Sequence, residues 1–151
     1  MAISQAVANV FKQNVLLGNH NFNSSGGNTY KIALYTSSAT MGATTTQYAT
    51  ANQITNAAGS AYTAGGKALT NSGVTGGSGT TTAFTTFSNV SWTSASFTAN
   101  GALIYQSTGP ISGGNNAVVV LAFGGDFTAT NGTFTIQFPT AGGGSEILRL
   151  G

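Results

Sequence analysis

A chain of 151 residues has the length of one domain, and its 40% hydrophobic content supplies a core and excludes a disordered segment. Only six residues are charged, Lys12, Lys31, Lys67, Arg149, Asp126 and Glu146, which is 4% of the chain where soluble domains carry about a quarter. Four scattered cations make no basic run of the kind that displaces counterions from phosphates, so nucleic acid is not an expected partner, and the absence of cysteine excludes disulfides and thiolate chemistry.

Thr, Ser, Asn, Gly and Ala stand where charge is missing. Such a surface stays wet but lacks the net charge that keeps neighbouring molecules apart, which points to a surface made to be occupied by other subunits. The N-terminal stretch, MAISQAVANVFKQNV, has neither a basic leader nor an extended apolar run. The longest apolar run, Ala117 to Phe123, is too short to cross a membrane as a helix. The expectation is a protein made in a cytoplasm, with no membrane partner.

In chain order, the first element is a helix over Ser4–Leu17, with Ser4 as its cap and Gly18 supplying a left-handed end. Val7, Phe11 and Val15, with Val10 beside them, form one apolar stripe. It serves either to cover the end of the domain or to dock on a neighbour. A polar loop follows at Asn19–Asn28. Thr29–Thr36 then alternates Tyr30, Ile32 and Leu34 against Lys31, Ala33 and Tyr35, which predicts a strand. Ser37–Gly66 is a polar excursion with a short strand near Gln53–Ile54. Its length suits a contact arm.

Strand signals then recur at short spacing: Lys67–Val74, Thr82–Trp92, Ser94–Ala99, Ala102–Gln106 after an Asn100-Gly101 turn, and Ala117–Phe123. The last of these is an apolar run that predicts a strand covered on both faces. After a turn at Asn131-Gly132, Thr133–Phe138 points Phe134, Ile136 and Phe138 inward until Pro139 stops it. Ser145–Leu150 supplies a final edge strand. Ile32–Ser37 faintly echoes Ala102–Ser107, with no fixed period that would make a repeat protein. The predicted fold is all-β: an antiparallel β-sandwich over residues 1–151, with the jelly roll as one variant, and one short N-terminal helix (residues 1–18).

The inventory for chemistry is His20, Asp126 and Glu146. His20 reads as a surface or helix-end histidine. Asp126, in Gly124-Gly125-Asp126, reads as part of a connection between strands. No nucleophile elbow exists, since neither Gly77-Ser78-Gly79 nor Gly144-Ser145-Glu146 completes one. Gly65-Gly66-Lys67 fails as a phosphate loop, because Ala61 and Ala68 occupy the other required positions. A lone histidine and two carboxylates are too few for a metal. The expectation is no catalytic, cofactor-binding or metal-binding residue, and no enzyme.

Several segments together resemble a group of small bacteriophage virion proteins described as decoration, cement or tail-fibre-associated proteins. They are the Phe11–Gly18 helix end, the run Tyr30 to Thr40, Tyr62-Thr63-Ala64-Gly65-Gly66-Lys67-Ala68-Leu69 and Val90-Ser91-Trp92-Thr93-Ser94-Ala95. Gly101-Ala102-Leu103-Ile104-Tyr105, Leu121 to Asp126 and Gly132 to Pro139 follow in order. The resemblance spans nearly the whole chain, but in strand-and-turn signatures that carry no chemistry. It implies a virion component with a β-sandwich. The leading expectation is a capsid decoration or cement protein whose partners are the major capsid protein and copies of itself in a symmetric oligomer. The alternative is a tail-fibre or tail-associated module that binds a receptor or sugar, for which Tyr48, Tyr62 and Tyr105 are the candidate aromatics.

Overall fold

The computed structural model describes residues 2–55, 59–77, 79–111 and 114–151. Residues 56–58 of the predicted excursion and Ser78 of the rejected Gly77-Ser78-Gly79 lie outside them. The fold is mostly β, with two sheets and a single short helix. In chain order the elements are β1 (Ala6–Val7), α1 (Asn9–Leu16), β2 (Thr29–Tyr35), β3 (Lys67–Ala68), β4 (Asn71–Gly76), β5 (Ala83–Phe87), β6 (Val90–Thr108), β7 (Asn116–Ile136) and β8 (Leu148–Leu150). The five-stranded sheet runs β1-β7-β6-β2-β3 and the three-stranded sheet β4-β5-β8, with every named pair antiparallel.

The helix is shorter than the sequence suggests. Ser4 does not cap it; its amide bonds Met41 O at 2.8 Å, and Ala6 and Val7 pair with Val120 and Val119 at the edge of β7. An isolated short helix is marginal in water, so residues offered strand partners take them. Ala8 holds the N-cap position without a side-chain hydrogen bond. Gly18 does end the helix as expected, with φ +74°.

β2 is buried on both faces, including Ala33 and Tyr35 as well as Tyr30, Ile32 and Leu34. The face bearing Tyr30 meets the loop after α1 and the smaller sheet: Phe22 stacks on Tyr30 at 4.4 Å and Phe87 lies 5.8 Å from it. The opposite face is covered by the 37–66 excursion, so this segment is not a free contact arm. Tyr48 stacks on Tyr105 at 4.7 Å, and Tyr62 packs on Trp92 and Phe97. Hydrogen bonds fix it there. The Tyr62 hydroxyl accepts from the Leu34 amide at 2.9 Å and from Gln53 Nε2 at 2.6 Å, and Tyr48 donates to Gln53 Oε1 at 2.6 Å. The strand predicted near Gln53–Ile54 is a single bridge, Tyr35 to Gln53.

Two predicted turns are bulges within longer strands. Asn100-Gly101 lies inside β6, where a Cβ on residue 101 would sit 2.6 Å from Leu121 O and 2.8 Å from the Ile3 side chain. Glycine is required there by close approach, not by a turn. Asn131-Gly132 lies inside β7, with Asn131 at φ +48° donating its amide to Ser96 Oγ at 2.9 Å across the hairpin, and the ladder shifts register at this point. Likewise Gly124-Gly125-Asp126 is no connection between strands. Gly101 pairs with Ala122 and Ala99 with Phe127, so the residues between form a wide bulge facing Asn100. What read as five short segments is thus one hairpin of two long strands.

Conversely, predicted Lys67–Val74 divides between sheets as β3 and β4, and Thr82–Trp92 divides into β5 and the start of β6. Ala117–Val120 are buried, whereas Leu121–Phe123 are half-buried. Ile136 and Phe138 are buried, but Phe134 is only partly covered. The last strand is an edge, as expected, beside β5.

Candidate functional site: two open surfaces

The titratable residues do not form a common site. His20 sits just past the helix end, as expected, but is half-buried and not fully exposed. Its ring lies 4.7 Å from Phe11 and stacks with Phe22 and Tyr30 at 5.9 and 6.0 Å. Nδ1 is 3.2 Å from the Tyr30 hydroxyl, and Nε2 is buried without a partner among the described residues. Burial lowers its pKa to about 4, so the ring is neutral near pH 7. Asp126 accepts a hydrogen bond from Asn100 Nδ2 at 2.8 Å across the hairpin. Glu146 is covered, accepts the amides of Gly142 and Gly144, and pairs with Arg149 at 3.3 Å. Backbone amides first, and then Arg149, hold its carboxyl below the usual range. Each carboxylate organises its own loop or bulge. Among the described residues no cluster of histidine and carboxylates is able to hold a metal ion.

The aromatics proposed for a sugar are also committed elsewhere. Tyr62 and Tyr105 are buried, and Tyr105, which donates to Gly65 O at 2.8 Å, has its pKa pushed up to about 12 by burial. Tyr48 is half-buried on Tyr105.

Two surfaces remain unfinished. The first is an apolar groove of about 580 Å³ between α1 and the three-stranded sheet. Phe11 and Val15 form one wall, and Phe84, Ile147 and Leu148 face them. At its rim Leu16, Val74 and Leu150 are 89%, 56% and 66% exposed, with Leu17 next along the chain at 66%. Among the described residues these four are all but one of the large apolar side chains left exposed. Lys12 and Arg149 border the same groove, and Arg149 is already paired. A cluster of exposed aliphatics beside a cleft marks an interaction site, whereas single ones do not.

The second surface is the outer edge of β7. β1 pairs with β7 only at Val119 and Val120. Before them Ala8 and residues 46–48 bond the strand, but from Leu121 onward its ladder is with β6, with a shallow depression of about 530 Å³ beside Phe123, Phe127 and Phe134. No family model matches this chain, and no curated protein or solved structure matches it either.

Sequence patterning offered the helix stripe as a docking face but not the sheet opposite it, and it missed the second surface. The Leu16-Leu17 doublet at the end of the amphipathic stripe was the visible sign of the first. The sign of the second was the run from Phe123 to Gln137, which contains one charge and no proline.

Proposed function

We propose that this chain is a structural protein of a bacteriophage particle, a capsid decoration or cement protein that stabilises the shell by bridging coat subunits and catalyses nothing. The observation that carries this reading is the groove beside α1, where exposed aliphatic side chains gather on a chain almost without charge. On this reading the helix stripe and the β4-β5-β8 sheet make the seat for an apolar segment of the major capsid protein. Covering that surface contributes at roughly 25 cal/mol per Å² of apolar area, and many equivalent copies on one shell add their contributions. The two sheets are then the halves of a sandwich related to the jelly rolls common in capsids.

The virion is the place of action and the host bacterial cytoplasm the place of synthesis. Nucleic acid and membrane are not partners in this scheme. The tail-fibre alternative draws less support, since it needs open aromatic faces and two of its three candidates are buried.

A particle reconstruction with a copy-number measurement tests the proposal. Many copies on the shell, with α1 and β8 at the coat contact, are expected. A handful of copies at one vertex, or particles lacking the protein that are equally robust yet fail to adsorb, would overturn it in favour of a tail role.

A further inference from the structure

From Val90 to Ala99 and from Phe127 to Ile136, the β6–β7 hairpin is a ribbon with two unlike faces. One face carries hydroxyls: Thr98 and Thr128 bond at 2.7 Å, and Ser91 and Thr135 at 2.7 Å. The other carries Trp92, Phe97 and Phe134, whose rings contact one another. Tyr62 covers the β6 side of this aromatic layer. On the β7 side Phe123 reaches from the bulge to within 6.1 Å of Phe127 and 6.3 Å of Phe134, yet Phe127 stays 54% exposed. The aromatic layer therefore runs out at the same edge where the backbone ladder stops.

Natural edge strands are blunted by lysine, proline, inward charge, a bulge or a covering loop; this edge carries bulges at 123–126 and at 131–132, with Phe127–Ala129 and Phe134–Ile136 laddered to β6 on either side of the second. Between Phe123 and Ile136 the sole charge is Asp126, whose carboxylate is engaged by Asn100. Two-stranded ribbons are marginal by themselves. Two unmet needs, backbone pairing and an apolar cover, meet along one line.

We propose that this edge pairs antiparallel with the same edge of a second copy of the chain, about a twofold axis between Asn131 and Gly132. The register follows from the faces. In an antiparallel pair, residues directly opposite share a face. The bulge at Asn131-Gly132 puts Phe127 and Ala129 on the aromatic face before it, and Phe134 and Ile136 on the same face after it. A twofold at the bulge sets Phe127 opposite the partner copy's position 136 and Ala129 opposite position 134, while Thr128 meets position 135 on the hydroxyl face. Asp126 falls opposite glutamine at position 137 instead of its own copy, so no like charges meet. A single surface that satisfies itself in this way is what an isologous dimer requires. This pairing concerns the free protein and is independent of the groove and of any coat subunit.

Because the chain has no cysteine, the register is open to direct test. The purified double variant Thr128→Cys/Thr135→Cys, oxidised mildly, is expected to give a disulfide-linked dimer on a non-reducing gel, since directly opposed strand positions fall within disulfide reach. Each single variant is expected to give little. Equal cross-linking by the single variants, or none by the double variant, overturns the register. Sedimentation of the unmodified chain should show a species of twice 15.1 kDa. The exposed substitution Phe127→Lys should return it to monomer, with its circular dichroism unchanged. A monomer at every concentration, or a dimer that survives Phe127→Lys, overturns the proposal. Loss of the fold in that variant would leave the cysteine pair to decide. Failure of the coat-binding reading would alter none of these outcomes.

Discussion

His20 stays neutral in the folded chain because its ring is enclosed by Phe11, Phe22 and Tyr30, and this sets how stability follows pH. Its pKa falls from 6.5 unfolded to about 4 folded, so between those values the unfolded chain binds a proton that the folded chain refuses. The contribution is complete above pH 6.5 and is lost as pH falls towards 4. Backbone amides hold the Glu146 carboxyl below the usual range, so the window from pH 6.5 to 5 reports on His20. Thermal melts should therefore show a lower midpoint at pH 5 than at pH 7. His20→Phe, which keeps the ring packing, should flatten that slope; an unchanged slope would mean that another group carries it. The sequence pointed to a surface or helix-end histidine because its neighbours are polar, yet the aromatics packed on it lie nine residues before, two after and ten after. Gly101 is a second case, where Asn-Gly signalled a turn but the constraint is the Leu121 carbonyl 2.6 Å from any Cβ. Gly101→Ala is expected to cost about 1–3 kcal/mol in denaturant unfolding, through overpacking against backbone.

Periodicity identified β2, which is buried along nearly its whole length. The β8 edge was also placed, with Leu148 buried and Arg149 and Leu150 exposed. The β6–β7 hairpin was not, since bulges interrupt its two-residue period and leave the same glycine and asparagine signals as turns. The faint echo between Ile32–Ser37 and Ala102–Ser107 gains a physical meaning here. Ile32 pairs with Ile104 and Leu34 with Ala102, so the two segments are alike because they are neighbouring strands buried on both faces. The excursion at 37–66 read as a loose arm because its anchors are tyrosine hydroxyls, which hydrophobic patterning does not register. Tyr62→Phe would leave the buried Leu34 amide and Gln53 Nε2 without their acceptor, at about 1–3 kcal/mol for each buried group. Hydrogen exchange should accelerate at Ile54, whose amide bonds Leu34 O. Unaltered exchange there would show that packing alone holds the segment. In the aromatic cluster of the smaller sheet, Phe138 is 9% exposed and lies 5.6 Å from Phe87. Phe138→Ala should cost about 3–5 kcal/mol.

For the molecule as a whole, composition indicated a surface awaiting partners, but only the fold shows where that surface is. The charge-poor chain gathers its exposed aliphatics at the α1 groove and leaves the outer side of β7 unpaired beyond Val120, two features that depend on distant segments meeting and so escape a linear reading. Assembly through such surfaces should be nearly indifferent to salt. Lys67 is held by Ser91 O and the Trp92 ring, and Arg149 by Glu146, so few counterions are left to release. Binding to particles that fell steeply between low and moderate salt would show an electrostatic contact instead. The central claim, that the chain strengthens a shell, is tested most directly by the temperature at which particles release their genome. Particles assembled without the protein should release it at a clearly lower temperature than complete ones, with the difference restored by adding the purified chain and not by a Leu16→Lys/Leu150→Lys variant. Identical release temperatures with and without the protein would contradict the account.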